Sequence, residues 1–207
     1  MASIAENAID LGRIPYEEAW ALQLELAERR AAGAIPDTLL ACEHDPVYTF
    51  GRNYKSPLPP LPFPAYKIER GGKGTYHGPG QLVLYPICKL EPKGILPFVR
   101  AQEAFAIGLL KSFGVEGETR AGETGVWIGR RKIGSIGIAV KRWVSFHGLA
   151  INVDPDLSHF AAIEPCGYSP EVMTSLAAEL GRKIGVEEVK QKALEGLSPA
   201  TLSPTSR

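Results

Sequence analysis

The chain has 207 residues, with 23 Lys plus Arg against 23 Asp plus Glu and 44% hydrophobic residues. This length suits one domain with a substantial core. The balanced charge excludes nonspecific capture of nucleic acid or an anionic membrane, and no apolar run reaches the roughly 20 residues that span a bilayer.

The first twenty residues carry Glu6, Asp10 and Glu17 and no basic stretch leading into an apolar one, so no secretory or transit signal is expected. Residues 15–32 place Tyr16, Trp20, Leu24, Ala27 and Ala31 at three- and four-residue steps, with acids early, Arg29 and Arg30 late and Gly33 beyond. That is an amphipathic helix with dipole-compatible ends. Strands are expected at residues 38–42 and 47–50. Residues 56–64, SPLPPLPFP, hold five prolines, too many for a helix or central strand, and read as an ordered surface loop or a mobile flap.

Strands at 66–69 and 82–87 flank a glycine-rich loop, and 98–113 reads as a helix stopped by Gly114. Three β-rich runs at 125–128, 132–140 and 144–153 suggest a meander. Helices are expected at 170–180 and 186–194. Residues 1–195 are read as one catalytic domain, and 196–207, rich in Ser, Thr and Pro, as a disordered tail. Strands do not alternate strictly with helices, which favours an α/β fold of the α+β type, a mixed sheet with packed helices, over a Rossmann fold.

The loop between the two flanking strands, RGGKGTYHGPGQ (70–81), packs five glycines, one proline, two cations and a histidine into twelve residues. Glycine lets backbone approach a ligand, and Arg70, Lys73 and His77 suit an anionic or carbonyl group; a plain glycine-rich connection would look the same. Cys166, in Glu164-Pro165-Cys166-Gly167-Tyr168 ahead of an expected helix, fits either an activated thiol or a small buried side chain. Lys132 stands where a hairpin turn enters a strand, and alternation sets it on the face of Gly134 and Ile136, toward solvent or toward a glycine-lined site. Cys42 and Cys88 lie in or beside apolar runs and read as core. Three cysteines without a close pair imply reduced thiols and a cytoplasmic setting. The four histidines, among them His44, His77 and His147, lack zinc-ligand spacings, the glycine-rich loop lacks the Ser or Thr of a phosphate loop, and no GxSxG motif occurs.

Four blocks, EHDPVYTFGR (43–52), RGGKGTYHGPGQLVLYPI (70–87), GVWIGRRKIGSIGIAVKRWVSFHGLAINV (125–153) and EPCGY (164–168) with MTSL (173–176), resemble the octanoyltransferases of lipoate biosynthesis, in family order. The resemblance implies a biotin and lipoate ligase-like fold and transfer of an octanoyl group from octanoyl-acyl carrier protein to a lysine of a lipoyl domain. The acceptors implied are lipoyl domains of 2-oxoacid dehydrogenase complexes and the glycine-cleavage H protein. It also implies Cys166 as the acyl-accepting nucleophile and Lys132 as its partner, with no cofactor and no metal. Acyl-binding segments would fall on Arg70, Gly71, Gly72, Lys73, Gly74, Thr75, Tyr76 and His77, on Ser135, Ile136 and Gly137, and on Gly148, Leu149 and Ala150. The loop departs from the family pattern at Lys73 and Gly74. The competing readings are an ATP-dependent lipoate or biotin ligase on the same fold, and a noncatalytic binder of acyl chains or lipoyl domains.

Overall fold

Apolar residues fill both faces of the central strands, so helices are needed on each side of the sheet. A computed structural model describes residues 7–90, 94–163 and 169–196. In chain order its elements are β1 (Ala8–Ile14), α1 (Tyr16–Ala31), β2 (Thr38–His44), β3 (Val47–Phe50), β4 (Ala65–Lys67), β5 (Gly74–His77), β6 (Gln81–Ile87) and α2 (Ile95–Ser112). There follow β7 (Glu118–Arg120), β8 (Glu123–Ile128), β9 (Arg131–Lys141), β10 (Val144–Asn152), α3 (Leu176–Leu180) and α4 (Val186–Gly196), with short 3-10 turns at Leu157–Ala162 and Pro170–Val172.

Seven strands form the main sheet in the order β1-β2-β6-β10-β9-β8-β7. Only β1 and β2 pair in parallel there. Leu39, Ala41, Leu82, Leu84, Leu149 and Ile151 pack on one face with Phe98, Phe105 and Leu109 of α2 and Val189 and Ala193 of α4. Their sequence neighbours Leu40, Cys42, Val83, Tyr85 and Ala150 pack on the other with Ala19, Leu26 and Ala27 of α1. A second sheet, β4-β3-β5, carries an aromatic cluster of Tyr48, Phe50, Tyr76 and Phe160, against which Leu58, Leu61 and Phe63 of the proline-rich segment pack.

The mixed sheet with helices is as expected, and the structure adds elements that the pattern hid. β1 and β7 are edge strands with mostly exposed side chains, so they carry no hydrophobic alternation to detect. Residues 74–77 are a strand inside the expected loop, each pairing with β3. The helix expected at 170–180 is broken. Met173 bridges to Lys132, and α3 starts afresh behind Ser175, whose hydroxyl caps the Ala178 N–H at 3.2 Å, and stops at Gly181 with φ 64°. The buried stripe of α1 runs through Tyr16, Ala19, Gln23, Leu26 and Ala27, rotated from the face expected, because the small Ala19 and polar Gln23 are what this side of the sheet accommodates.

Candidate active site

The segment Arg70–Gly72 lies across the edge of both sheets and is pinned on each side. Gly71 N–H donates to Ile138 O at 3.1 Å on β9, while Arg52 N–H and Asn53 N–H donate to Arg70 O and Gly72 O at 2.9 and 3.1 Å. The Arg70 guanidinium is buried and donates to Thr49 O at 2.6 Å, Thr49 Oγ1 at 3.0 Å and Gly71 O at 2.9 Å. Gly51 makes this possible, since a Cβ there would meet the carbonyl oxygens of Arg70, Gly71 and Gly72, each at 2.7 Å.

Beneath the segment lies a narrow cavity that opens to solvent. From the glycine-rich loop it is lined by Arg70, Gly71, Gly72, Thr75 and His77, from β9 by Ser135, Ile136 and Gly137, and from β10 by Gly148, Leu149 and Ala150. Three stretches far apart in sequence thus meet at one cavity. Lys73, Gly74 and Tyr76 do not line it: Tyr76 faces the aromatic cluster of the small sheet, and Gly74 lies beneath the Phe50 ring, 2.9 Å from where a Cβ would stand. The sequence reading missed Tyr16, Ile68, Val83, Tyr85 and His147, which complete the wall. From the sequence Tyr16 reads only as part of a helix face, and a core residue of α1 gives no separate signal of lining a cavity.

Three imidazoles gather around this wall, all buried. His44 Nδ1 lies 2.9 Å from Ile14 O, which can only accept, so Nδ1 carries the proton and Nε2 accepts the Tyr85 hydroxyl at 2.7 Å. His147 Nε2 donates to Glu69 Oε2 at 3.3 Å, and that bond holds the Glu69 carboxyl below its ordinary range. His77 stacks on Tyr16, with centroids 6.2 Å apart and 7° between planes. Burial pushes the pKa of all three histidines down, that of His77 to about 3. His147 also has φ 56° within a strand, and its N–H is taken by Gln23 Oε1 at 2.8 Å, which accounts for a glutamine buried in α1.

Lys132 is 2% exposed, which rules out a solvated turn lysine. Its face also differs from the alternation expected. Val126 pairs with Gly134 and Trp127 with Lys132, leaving Ile133 as the extra residue of a β-bulge. Ile133 therefore packs in the α2-side core together with Ile136 and Ile138, and Lys132 turns to the opposite face, that of Ser135 and Gly137. Its ammonium donates to Thr124 O at 2.9 Å and stands 5.2 Å from the Trp127 ring centroid. Gly125 gives the stem room: with φ 131°, a Cβ there would fall 2.7 Å from Lys132 Cε. The Gly125 N–H is held by Glu103 Oε1 at 3.0 Å.

Cys166 lies outside the described residues, as do the segment 164–168 around it and the tail from 197. Cys42 and Cys88 are buried free thiols whose pKa burial raises, so neither is poised as a nucleophile. Among the described residues no cluster of three or more His, Cys, Asp or Glu can hold a metal ion, and no helix is long and apolar enough to cross a membrane.

A mixed sheet sandwiched by helices, with a glycine-walled cavity at its junction with a smaller sheet, defines the lipoate and biotin ligase-like class. Lipoate-protein ligase A bound with ATP superposes with a TM-score of 0.70 at 15% identity, covering 92% of this chain and 83% of that one. A bipartite lipoate protein ligase from Thermoplasma acidophilum gives 0.67 at 16% (90% and 80%), and a biotin protein ligase from Aquifex aeolicus 0.56 at 14% (92% and 68%). Residues 15–198 match the lipoyl protein ligase A/B catalytic domain. The octanoyltransferase of Mycolicibacterium gilvum is 49% identical over 92% of this chain and 83% of its own, that of Mycobacterium tuberculosis H37Rv 45% over 93% and 90%, and that of Rubrobacter xylanophilus 40% over 96% of each. The chain belongs to the lipoyl protein ligase A/B family and, within it, to the octanoyltransferases, which makes it an acyltransferase.

Proposed function

We propose that this protein takes the octanoyl group of octanoyl-acyl carrier protein onto Cys166 and passes it to one lysine of a lipoyl domain, in the 2-oxoacid dehydrogenase complexes or the glycine-cleavage H protein. The observation that carries this reading is the convergence of Arg70–Gly72, Ser135–Gly137 and Gly148–Ala150 on one cavity. Its walls include the apolar side chains of Ile68, Val83, Ile136 and Leu149, which suit an acyl chain, and each methylene buried there contributes roughly 0.8 kcal/mol.

In the first step the Cys166 thiolate attacks the donor thioester carbon, a new C–S bond forms, and the bond to the carrier sulfur breaks with its electron pair leaving on that sulfur. Splitting the transfer through a second thioester keeps the acyl group activated until the amine arrives, so no nucleotide is consumed. Lys132 is assigned as the partner that holds or moves the thiol proton. Support comes from the chain on either side of the cysteine: Ile163 and Met173 pack in one cluster, and Met173 bridges to Lys132. Residues 1–195 would form the catalytic domain, acting in the cytoplasm, where its thiols stay reduced.

Incubating the protein with octanoyl-acyl carrier protein, without ATP, and measuring intact mass tests the reading. The expected result is one octanoyl adduct that maps to Cys166 and is lost in Cys166→Ala but kept in Cys42→Ala and Cys88→Ala. An adduct on another residue, or a need for nucleotide, overturns it.

A further inference from the structure

Two buried amides decide which ring nitrogen of His77 carries its proton. Thr174 O is a backbone carbonyl and can only accept, so the group 2.9 Å from it on Asn152 is the amide nitrogen, and Asn152 Oδ1 points the other way. Gln81 Nε2 donates to that Oδ1 at 2.8 Å and to Tyr76 O, again an obligate acceptor, at 3.1 Å. Both hydrogens of the Gln81 amide are thereby used, and its Oε1 faces His77 Nδ1 at 3.0 Å. An oxygen there requires a donor, so Nδ1 bears the hydrogen. The neutral ring then leaves Nε2 with a lone pair. Nε2 makes no hydrogen bond among the described residues, and His77 lines the cavity. Asn152, Gln81 and Thr174 are each 2% exposed, so water does not compete for these bonds. The same chain ends beside the other end of the site, because Thr174 N–H donates to Lys132 O at 3.0 Å.

We propose that Gln81 and Asn152 are positioning residues that lock His77 as the Nδ1–H tautomer, and that its Nε2 accepts a hydrogen bond from the amine of the incoming lysine. This rests on the acyl-enzyme reading above. A lone pair at Nε2 cannot stabilise an oxyanion, so His77 is no part of an oxyanion hole. Of the reacting groups, the attacking amine is the one that brings N–H donors. A hydrogen bond to Nε2 uses one amine hydrogen and leaves the nitrogen lone pair free for the thioester carbon. The C–N bond forms, the C–S bond breaks with its electron pair left on sulfur, and one amine proton ends on that sulfur.

The tautomer is read by ¹⁵N-imidazole NMR of the unsubstituted protein. His77 is expected to show a protonated, pyrrole-type Nδ1 and a bare, pyridine-type Nε2; the reverse pattern overturns the proposal whatever the fate of any variant. Gln81→Met, which removes both donor and acceptor, is expected to mix the two tautomers. In single turnovers it should slow transfer from pre-formed octanoyl-enzyme to a lipoyl domain by about 10²-fold, within the range of positioned proton transfer, while acyl-enzyme formation falls less than about tenfold. Equal slowing of both half-reactions overturns it. Failure of the unsubstituted protein to form an acyl-enzyme would sink the underlying reading instead, and leaves the NMR test of the tautomer standing.

Discussion

Gly137 sits directly opposite Gly148 in the β9–β10 ladder, so the cavity wall at that point is bare backbone. The two glycines differ in what they spare. A Cβ on Gly148 would stand 2.3 Å from Leu84 O and 2.7 Å from Pro86 Cδ, against the backbone of β6, whereas one on Gly137 would meet the Arg70 side chain at Cδ, 2.9 Å away. Gly148→Ala is therefore expected to cost about 3 kcal/mol and Gly137→Ala about 1 kcal/mol, on the scale of core overpacking. Urea denaturation of both variants measures the difference, and equal midpoints would contradict the close approach of β6 to β10.

Lys132 can be separated from its charge. Lys132→Arg keeps a cation but one that does not deprotonate in proteins, and Lys132→Met keeps the apolar stem against Trp127 without the donor. The Met variant should remain folded, losing roughly 1 kcal/mol with the bond to Thr124 O. Both should reduce turnover by 10²-fold or more if the lysine moves a proton. Iodoacetamide labelling of Cys166 against pH discriminates the roles: a lysine acting only as a cation predicts that Arg restores the neutral-pH rate and Met does not.

Acid should destabilise the protein through its buried imidazoles. His44, His77 and His147 are held neutral in the fold with pKa values below 6.5, His77 near 3, while in the unfolded chain each titrates near its ordinary value. Below pH 6.5 the unfolded state thus binds more protons than the folded one. Stability is complete above that pH and is lost as pH falls toward the folded values. Each histidine contributes a slope of about 1.4 kcal/mol per pH unit inside its window. His77→Gln should lower the slope of stability against pH between 6 and 4 by about that amount, measured by denaturant midpoints. An unchanged slope would mean that His77 is already protonated in the fold.

The left-handed backbone of His147 can be tested by a pair of substitutions. Its φ of 56° strains any residue with a Cβ by about 1–2 kcal/mol. His147→Gly and His147→Ala both lose the bond to Glu69, yet Gly relieves the strain, so the Gly variant should melt higher than Ala. Crystal structures of the pair should keep Gln23 Oε1 on the residue-147 N–H; its loss in the Gly variant would show that the imidazole, not the turn of the chain, sets this conformation.

What the sequence determined by itself is the part of the protein in which local pattern and burial agree. The core strands β2, β6, β9 and β10 and the helices α1, α2 and α4 were readable because a two-faced sheet needs unbroken apolar runs and its helices an apolar stripe. The blocks around Arg70, Lys132, Ser135 and Gly148 could be named from their resemblance to a family, residue by residue. The tertiary structure decided the rest, since it depends on contacts between distant positions. Edge strands β1 and β7 exist only through their partners, and β5 only because β3 lies beside the glycine-rich segment. One extra residue, Ile133, reverses the face on which Lys132 stands, an insertion that alternation cannot reveal because bulges obey pairing rather than pattern. The cavity's remaining walls, Tyr16, Ile68, Val83, Tyr85 and His147, come from four separate elements or loops. The proton on His77 is placed by two carbonyl oxygens, of Tyr76 and Thr174, through amides contributed by residues 81 and 152; such a constraint exists only after the chain has folded, because donor and acceptor directions are fixed by geometry in space.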